Sequence, residues 1–293
     1  MVYGFLLFGL ATAFCWGTSD YLSRYQSEKV GHYNTTVYMH VFTIITLLIL
    51  VPVLNPPLAL TYQSLVVLFA VSILNFFAFL FLYKAFHKGI VSIVAPLAYT
   101  YPAVTILLGF LLFGTHLSSF QYIALICIMA GVMLLSARIS ELKGSYVDRR
   151  KLLPGAGSAL VAAMSFGTVY VGVGYVTPLI GYFVPVIFLR AMGALLGFTL
   201  APLLKQNVKP SKMSIKPTVI VMGILESLGL LFLTLGISDS SVHLPIVTAL
   251  SSLGGAFATS YAIFFLRERL ELNQIFGAFL ALSGVFFVLY FSG

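Results

Sequence analysis

Long apolar runs separated by short polar connections organise the whole chain. Ten of them are long enough to cross a hydrocarbon core of about 30 Å as a helix, which takes roughly 20 residues. They read Tyr3–Leu22, Tyr33–Leu54, Tyr62–Tyr83, Ile90–Phe113, Leu117–Ala137, Leu153–Val173, Ile180–Leu203, Pro217–Gly236, Val242–Leu266 and Leu272–Phe291. The pattern predicts an all-α integral membrane chain of ten spans, with nothing left over for a soluble domain. Ala11-Thr12-Ala13 imitates a signal-peptide cleavage site, but no basic stretch precedes it and the apolar run continues past it, so the first run reads as a retained span.

Composition agrees with the pattern. Hydrophobic residues make up 60% of the chain and charged residues 8%, with a mean hydropathy of +1.05, whereas a soluble domain is about a quarter charged. The net charge of +8 would suit a nucleic-acid partner if it were clustered, but its placement is topological. Fifteen of the sixteen Lys and Arg residues fall in connections after odd-numbered spans: Arg24 and Lys29; Lys84 and Lys88; Arg138, Lys143, Arg149, Arg150 and Lys151; Lys205, Lys209, Lys212 and Lys216; Arg267 and Arg269. Basic connections stay in the cytoplasm, so both termini are expected outside a cell (inner or plasma) membrane and no nucleic acid is expected as a partner. Cys15 and Cys127 both fall within spans and read as apolar packing residues.

The basic connection Arg138–Leu152 divides the chain into halves that resemble each other. "AFCWGTSDY" at Ala13–Tyr21 faces "AMSFGTVYV" at Ala163–Val171, keeping Ala, Gly and Thr and exchanging Trp16 for Phe166. "HLSSFQYIALICIMAGVML" from His116 faces "RLELNQIFGAFLALSGVFF" from Arg269, keeping Leu, Gln and a Gly-Val pair. We therefore expect a first five-helix repeat at 1–138, a basic cytoplasmic linker at 139–152 and a second repeat at 153–293. Five spans is an odd number, so the second repeat enters the membrane from the opposite side. Such inverted repeats are typical of secondary transporters, whose substrate sites lie near the midplane where the halves meet.

Polar residues inside the spans follow the same correspondence. Asn75 aligns with Glu226, and His40 with Arg190. A charge near the bilayer centre costs at least ~2.5–3.5 kcal/mol on insertion scales, so Glu226 and Arg190 should face the bundle interior, either as a helix-pinning pair or as part of a pathway. His40 reads equally as a satisfied core imidazole and Asn75 as interhelical glue. Asp20 precedes Arg24 by four residues and reads as an interfacial i, i+4 pair; Asp239 and His243 read as solvated loop residues. Pro96 and Pro102 should bend or break the fourth span, freeing carbonyls near Tyr99, Tyr101 and Thr100. In the ninth span Gly254 and Gly255 mark a second candidate hinge beside Ser252. Trp16, Phe166, Tyr99, Tyr101 and Tyr170 lie on helices expected to line the centre, where rings can hold an apolar side chain or an amine.

"AFCWGTSDYLSR", "APLAYTYPAVTILLG" and above all "LRERLELNQIFGAFLALSGVFF" resemble the EamA-type members of the drug/metabolite transporter superfamily across essentially the whole chain. In the last stretch Glu268, Gly277 and Gly284 match the family pattern, Arg267 stands where a Gly is usual, and the equivalent turn at Gly114–Leu117 lacks the acid. Glu268 itself reads as a helix-turn charge near the inner surface. The resemblance implies two inverted five-helix units, a central cavity formed by spans one to four and six to nine, alternating access and export of small metabolites.

The expected function is secondary transport of a small polar or amphipathic metabolite, plausibly an amino acid, with export favoured. The candidate substrate-binding set is Trp16, His40, Asn75, Tyr99, Tyr101, Phe166, Tyr170, Arg190, Glu226 and Ser252. An alternative is a proton-coupled carrier of an organic cation or amine, with Glu226 taking up the proton. Expected partners are the small-molecule substrate, the lipid bilayer and protons as a candidate coupling ion, with the chain a monomer or weak dimer. No cofactor or metal is called for. An intramembrane enzyme would need a nucleophile with its base, or metal ligands at helical spacing, and neither His-Glu-x-x-His nor an acidic pair stands out; a passive scaffold leaves the matched polar residues unexplained.

Overall fold

In the computed structural model, residues 4–56, 58–88, 91–114, 117–137, 139, 149–208, 217–266 and 271–291 are described, and every regular element among them is helical. The helices are α1 (Gly4–Val30), α2 (His32–Leu54), α3 (Tyr62–Lys88), α4 (Val91–Ala98), α5 (Tyr101–Phe113), α6 (Ser119–Ser136), α7 (Arg149–Ile180), α8 (Phe183–Thr199), α9 (Pro217–Gly236), α10 (Leu244–Ser251), α11 (Gly254–Leu266) and α12 (Leu272–Phe291). Among the described residues, seven stretches are long and apolar enough to cross a membrane, two of them made of helix pairs: α4 with α5, and the turn at Ser241–His243 with α10 and the start of α11. Phe183–Thr199 and Leu272–Val288 form shorter apolar stretches. Leu107, Leu111, Leu112, Phe276, Phe279, Leu282 and Phe286 stay exposed on the outside of the bundle, as side chains facing lipid would.

The halves interlock as related copies. α1 packs along α9 and α3 along α7, pairs that exchange when the repeats are exchanged, and α6 packs along α12. Gly31 and Gly181 connect the first two helices of each half with φ of 81° and 84°, a left-handed turn that favours glycine. The α6–α12 contact is antiparallel. A Cβ at Gly277 would fall 2.5 Å from the Leu135 nitrogen, and one at Gly284 would fall 2.7 Å from the Ala124 carbonyl. The glycine of each Gly-Val pair thus lies where the partner helix backbone passes.

The Gln shared by the repeats also has a local reason. Ser118 caps α6, accepting from the Gln121 amide while its own N–H donates to Gln121 Oε1 at 2.9 Å. At the start of α12 the Glu271 N–H donates to Gln274 Oε1 at 3.0 Å. Asn273 and Gln274 then donate to the Leu134, Leu135 and Ala137 carbonyls, satisfying the C-terminal end of α6.

Two spans are interrupted, at equivalent places in the two halves. The fourth breaks at Tyr99–Thr100, between Pro96 inside α4 and Pro102 at the start of α5. The ninth, in which Gly254 and Gly255 marked a candidate hinge, breaks at Ser252–Leu253 immediately before them. The Gly-Thr shared by the two repeats serves these breaks: a Cβ at Gly17 would strike the Gly254 carbonyl, and one at Gly167 would fall 2.8 Å from the Tyr101 carbonyl. α7 extends beyond the expected Leu153–Val173 at both ends. Most of the linker, together with Arg267, Glu268, Arg269 and His116, lies outside the described residues.

Candidate functional site: a ring-lined chamber between the repeats

α1, α3, α4, α5, α7 and α9 converge on a small chamber lined by Trp16, Asp20, Phe79, Leu82, Ala98, Tyr99, Tyr101, Phe166, Tyr170 and Glu226. Its volume is about 30 Å³, room for one water molecule and far less than any metabolite needs. Six members of the expected set, Trp16, Tyr99, Tyr101, Phe166, Tyr170 and Glu226, are brought together here.

The wall is a chain of rings. Phe79 meets Phe166 edge-on at 5.0 Å, Phe166 stacks with Tyr170 at 5.9 Å, and Tyr170 stacks with Trp16 at 5.4 Å. Tyr101 closes the ring edge-on to Tyr170 at 5.3 Å, and its hydroxyl hydrogen-bonds Ser251 Oγ at 2.7 Å, tying α5 to α10. Trp16 lies over Gly229, where a Cβ would come within 2.5 Å of its Nε1. Its indole N–H has no hydrogen-bond partner among the described residues.

Behind the rings sits the pair that the buried charges suggested. Arg190 Nη2 lies 3.2 Å from Glu226 Oε2 and also donates to the Glu226 carbonyl. The guanidinium stacks over Phe79 at 4.9 Å. Both side chains are almost fully buried, so each offsets the desolvation of the other. Arg190 Nε and Nη1 have no partner among the described residues. Glu226 reaches the chamber, while Arg190 is screened from it by Phe79.

The remaining expected residues lie apart. His40 packs on Gly193 of α8 and edge-on to Phe79 at 5.3 Å, with Nδ1 2.8 Å from the Thr36 carbonyl. Nδ1 donates there, and Nε2 has no hydrogen-bond partner among the described residues. Asn75 is buried on α3, its Nδ2 without a partner among the described residues. Ser252 bonds back to the Ala249 carbonyl at 2.6 Å, and its neighbour Ser251 makes the contact to Tyr101. Gly254 and Gly255 pack against Tyr99.

Asp20 corrects the sequence reading. Arg24 pairs with Glu28 at 3.9 Å, while the Asp20 carboxylate turns inward and accepts a 2.7 Å hydrogen bond from the Tyr99 hydroxyl. The missed signal was spacing: Asp20 follows Trp16 by four residues and shares its helix face. Phe79 likewise follows Asn75 by one turn. Away from the chamber, a larger cleft of about 610 Å³ is lined by Phe5, Phe8, Gln121, Asp239, His243 and neighbours. There Phe5 and His243 stack at 4.3 Å.

Comparison with known proteins agrees with this architecture. A protein of Archaeoglobus fulgidus described as an uncharacterized transporter is 24% identical over 290 residues, 97% of each chain. An uncharacterized protein of Methanocaldococcus jannaschii is 31% identical over 132 residues, 45% of this chain and 95% of its own, so it has about the length of one repeat. A crystal structure with 15% identity superposes with a TM-score of 0.79, covering 97% of this chain and 98% of that one. The model of the EamA-like transporter family matches twice, at residues 4–137 and 153–290. The chain therefore belongs to the EamA-like transporter family: it is a multi-pass membrane transporter built of two repeats, not an enzyme.

Proposed function

We propose that this chain is a secondary carrier that moves a small amine-bearing metabolite, an amino acid foremost, outward across the cell membrane by alternating access. The observation that carries this reading is the chamber at the repeat junction, walled by Trp16, Tyr99, Tyr101, Phe166 and Tyr170 and reached by the carboxylates of Asp20 and Glu226. Aromatic faces attract an ammonium group through their quadrupoles, by about 0.5–2 kcal/mol depending on desolvation, and a carboxylate adds charge and a hydrogen-bond acceptor. Because the chamber holds only about one water, substrate entry requires the halves to part. The interrupted spans are where the backbone bends at least cost.

A second reading, a proton-coupled carrier of an organic cation, is favoured by one observation. Arg190 is already engaged by Glu226 and Phe79, so among the described residues no cationic side chain lines the chamber for a substrate carboxylate.

The test is a thermal-shift screen of the purified protein against amino acids, amines, organic acids and sugars at two pH values, with the double variant Asp20→Asn, Glu226→Gln and with Arg190→Ala in parallel. Amino acids or amines should raise the wild-type midpoint, and the shift should vanish in the double variant. Loss in Arg190→Ala as well marks a zwitterion, and retention there marks a simple cation. Hits confined to organic acids or sugars contradict the proposal.

A further inference from the structure

We infer that Asp20, rather than Glu226, is the exchangeable carboxylate of this carrier: it takes either a proton or the substrate's cationic centre, and Tyr99 senses which. The inference deepens the reading above and rests on it for the cation, but not for the proton.

The charges inside the bundle are unequal. Asp20 and Glu226 both reach the chamber, and the guanidinium of Arg190 is bonded to Glu226 alone. Among the described residues, every other titratable group facing Asp20 is uncharged or anionic. Tyr99 comes from the break between α4 and α5, Tyr101 from α5, Tyr83 from α3, Tyr170 from α7 and Glu226 from α9. On its own helix, Arg24 is held by Glu28. One carboxylate in the membrane interior is thus left without a matching cation among the described residues. An uncompensated charge at that depth is unfavourable, and the remedies are neutralisation by a proton or pairing with a mobile cation. A zwitterion brings no net charge, so it would have to travel with a proton or another cation; a monoamine would fill the deficit alone.

Tyr99 connects this exchange to movement. It occupies the break between α4 and α5 and donates its hydroxyl to Asp20 at 2.7 Å. Its ring lies on the first residues after the other break, where a Cβ at Gly255 would come within 2.9 Å of it. One side chain therefore touches both interrupted spans and the unmatched acid. When a cation displaces the tyrosine hydroxyl, the tie between α1 and the fourth span is released; when the carboxylate is restored, the tie reforms. The free energy of the exchange is delivered to the element best placed to bend.

The experiment is pH-induced infrared difference spectroscopy of the full-length protein in lipid, without ligand, following the carbonyl stretch of a protonated carboxyl group. The band should disappear in Asp20→Asn, persist in Glu226→Gln and shift in frequency in Tyr99→Phe, which keeps the ring and removes the hydrogen bond. Loss of the band in Glu226→Gln, or its persistence in Asp20→Asn, overturns the assignment. A second arm uses tetramethylammonium, a permanent cation that carries no proton. Its apparent affinity in wild type should fall about tenfold per pH unit on acidification past the Asp20 midpoint, and this dependence should be absent in Asp20→Asn. If the infrared result holds while no organic cation binds wild type, the amine reading fails and the proton assignment stands; binding that ignores pH overturns the competition.

Discussion

The Arg190–Glu226 pair is where stability and function meet in single residues. Removing one member of a buried pair leaves the other charge uncompensated, at a cost of about 3–5 kcal/mol, whereas replacing both by apolar groups of similar volume is often neutral. Glu226→Leu should therefore lower the thermal midpoint strongly, and Arg190→Met combined with Glu226→Leu should recover most of the loss. Additive damage in the double variant would contradict the close pairing at 3.2 Å. This pair was legible in the sequence, because two ionisable residues in apolar runs have few other fates. Asp20 was not. Its spacing to Arg24 offered an ordinary explanation, and only the folded arrangement shows that Arg24 is held by Glu28.

Several helix pairs in this bundle depend on close backbone approach at glycine. The α6–α12 seam is the plainest case, with Gly131, Gly277 and Gly284 each facing backbone of the opposite helix. Gly284→Val should destabilise the protein by about 1–3 kcal/mol through overpacking, read as a lower thermal midpoint. Ligand affinity in the folded fraction should be unchanged, because the seam lies away from the chamber; an affinity loss with normal stability would contradict this. The repeat match exposed Gly131, Gly284 and the capping glutamines, since each pair occurs at one spacing, whereas Gly277 stood out only through the family resemblance. The break in the ninth span was harder to see. Pro96 and Pro102 announce an interruption by removing donors, whereas Ser-Leu-Gly-Gly is equally compatible with a continuous helix whose small residues serve packing. Equivalence to the fourth span is what makes the second break intelligible.

For the whole molecule, the charge asymmetry of the connections makes a topological prediction. With Cys15 and Cys127 replaced by Ala, a cysteine at Lys205 should react with a membrane-impermeant maleimide only in opened cells, and one at Ser238 in intact cells. The reverse pattern would invert the orientation. The two-repeat architecture was readable from hydropathy, positive charge and internal similarity. Which buried polar residues converge was not, because a helical wheel gives a face and not its partner. His40 and Asn75 occupy the same apolar pattern as Glu226 yet settle away from the chamber.

The central claim is that ligand binds in the chamber between the repeats, and the chain carries its own reporter. Trp16 is the sole tryptophan and forms part of the chamber wall. Titrating the purified wild-type protein with the best hit of the thermal-shift screen, while recording tryptophan emission, should give a saturable change whose midpoint matches the thermal-shift affinity and which disappears when both chamber carboxylates are neutralised in Asp20→Asn with Glu226→Gln. Saturable binding that leaves Trp16 emission unmoved would place the ligand elsewhere and contradict the account.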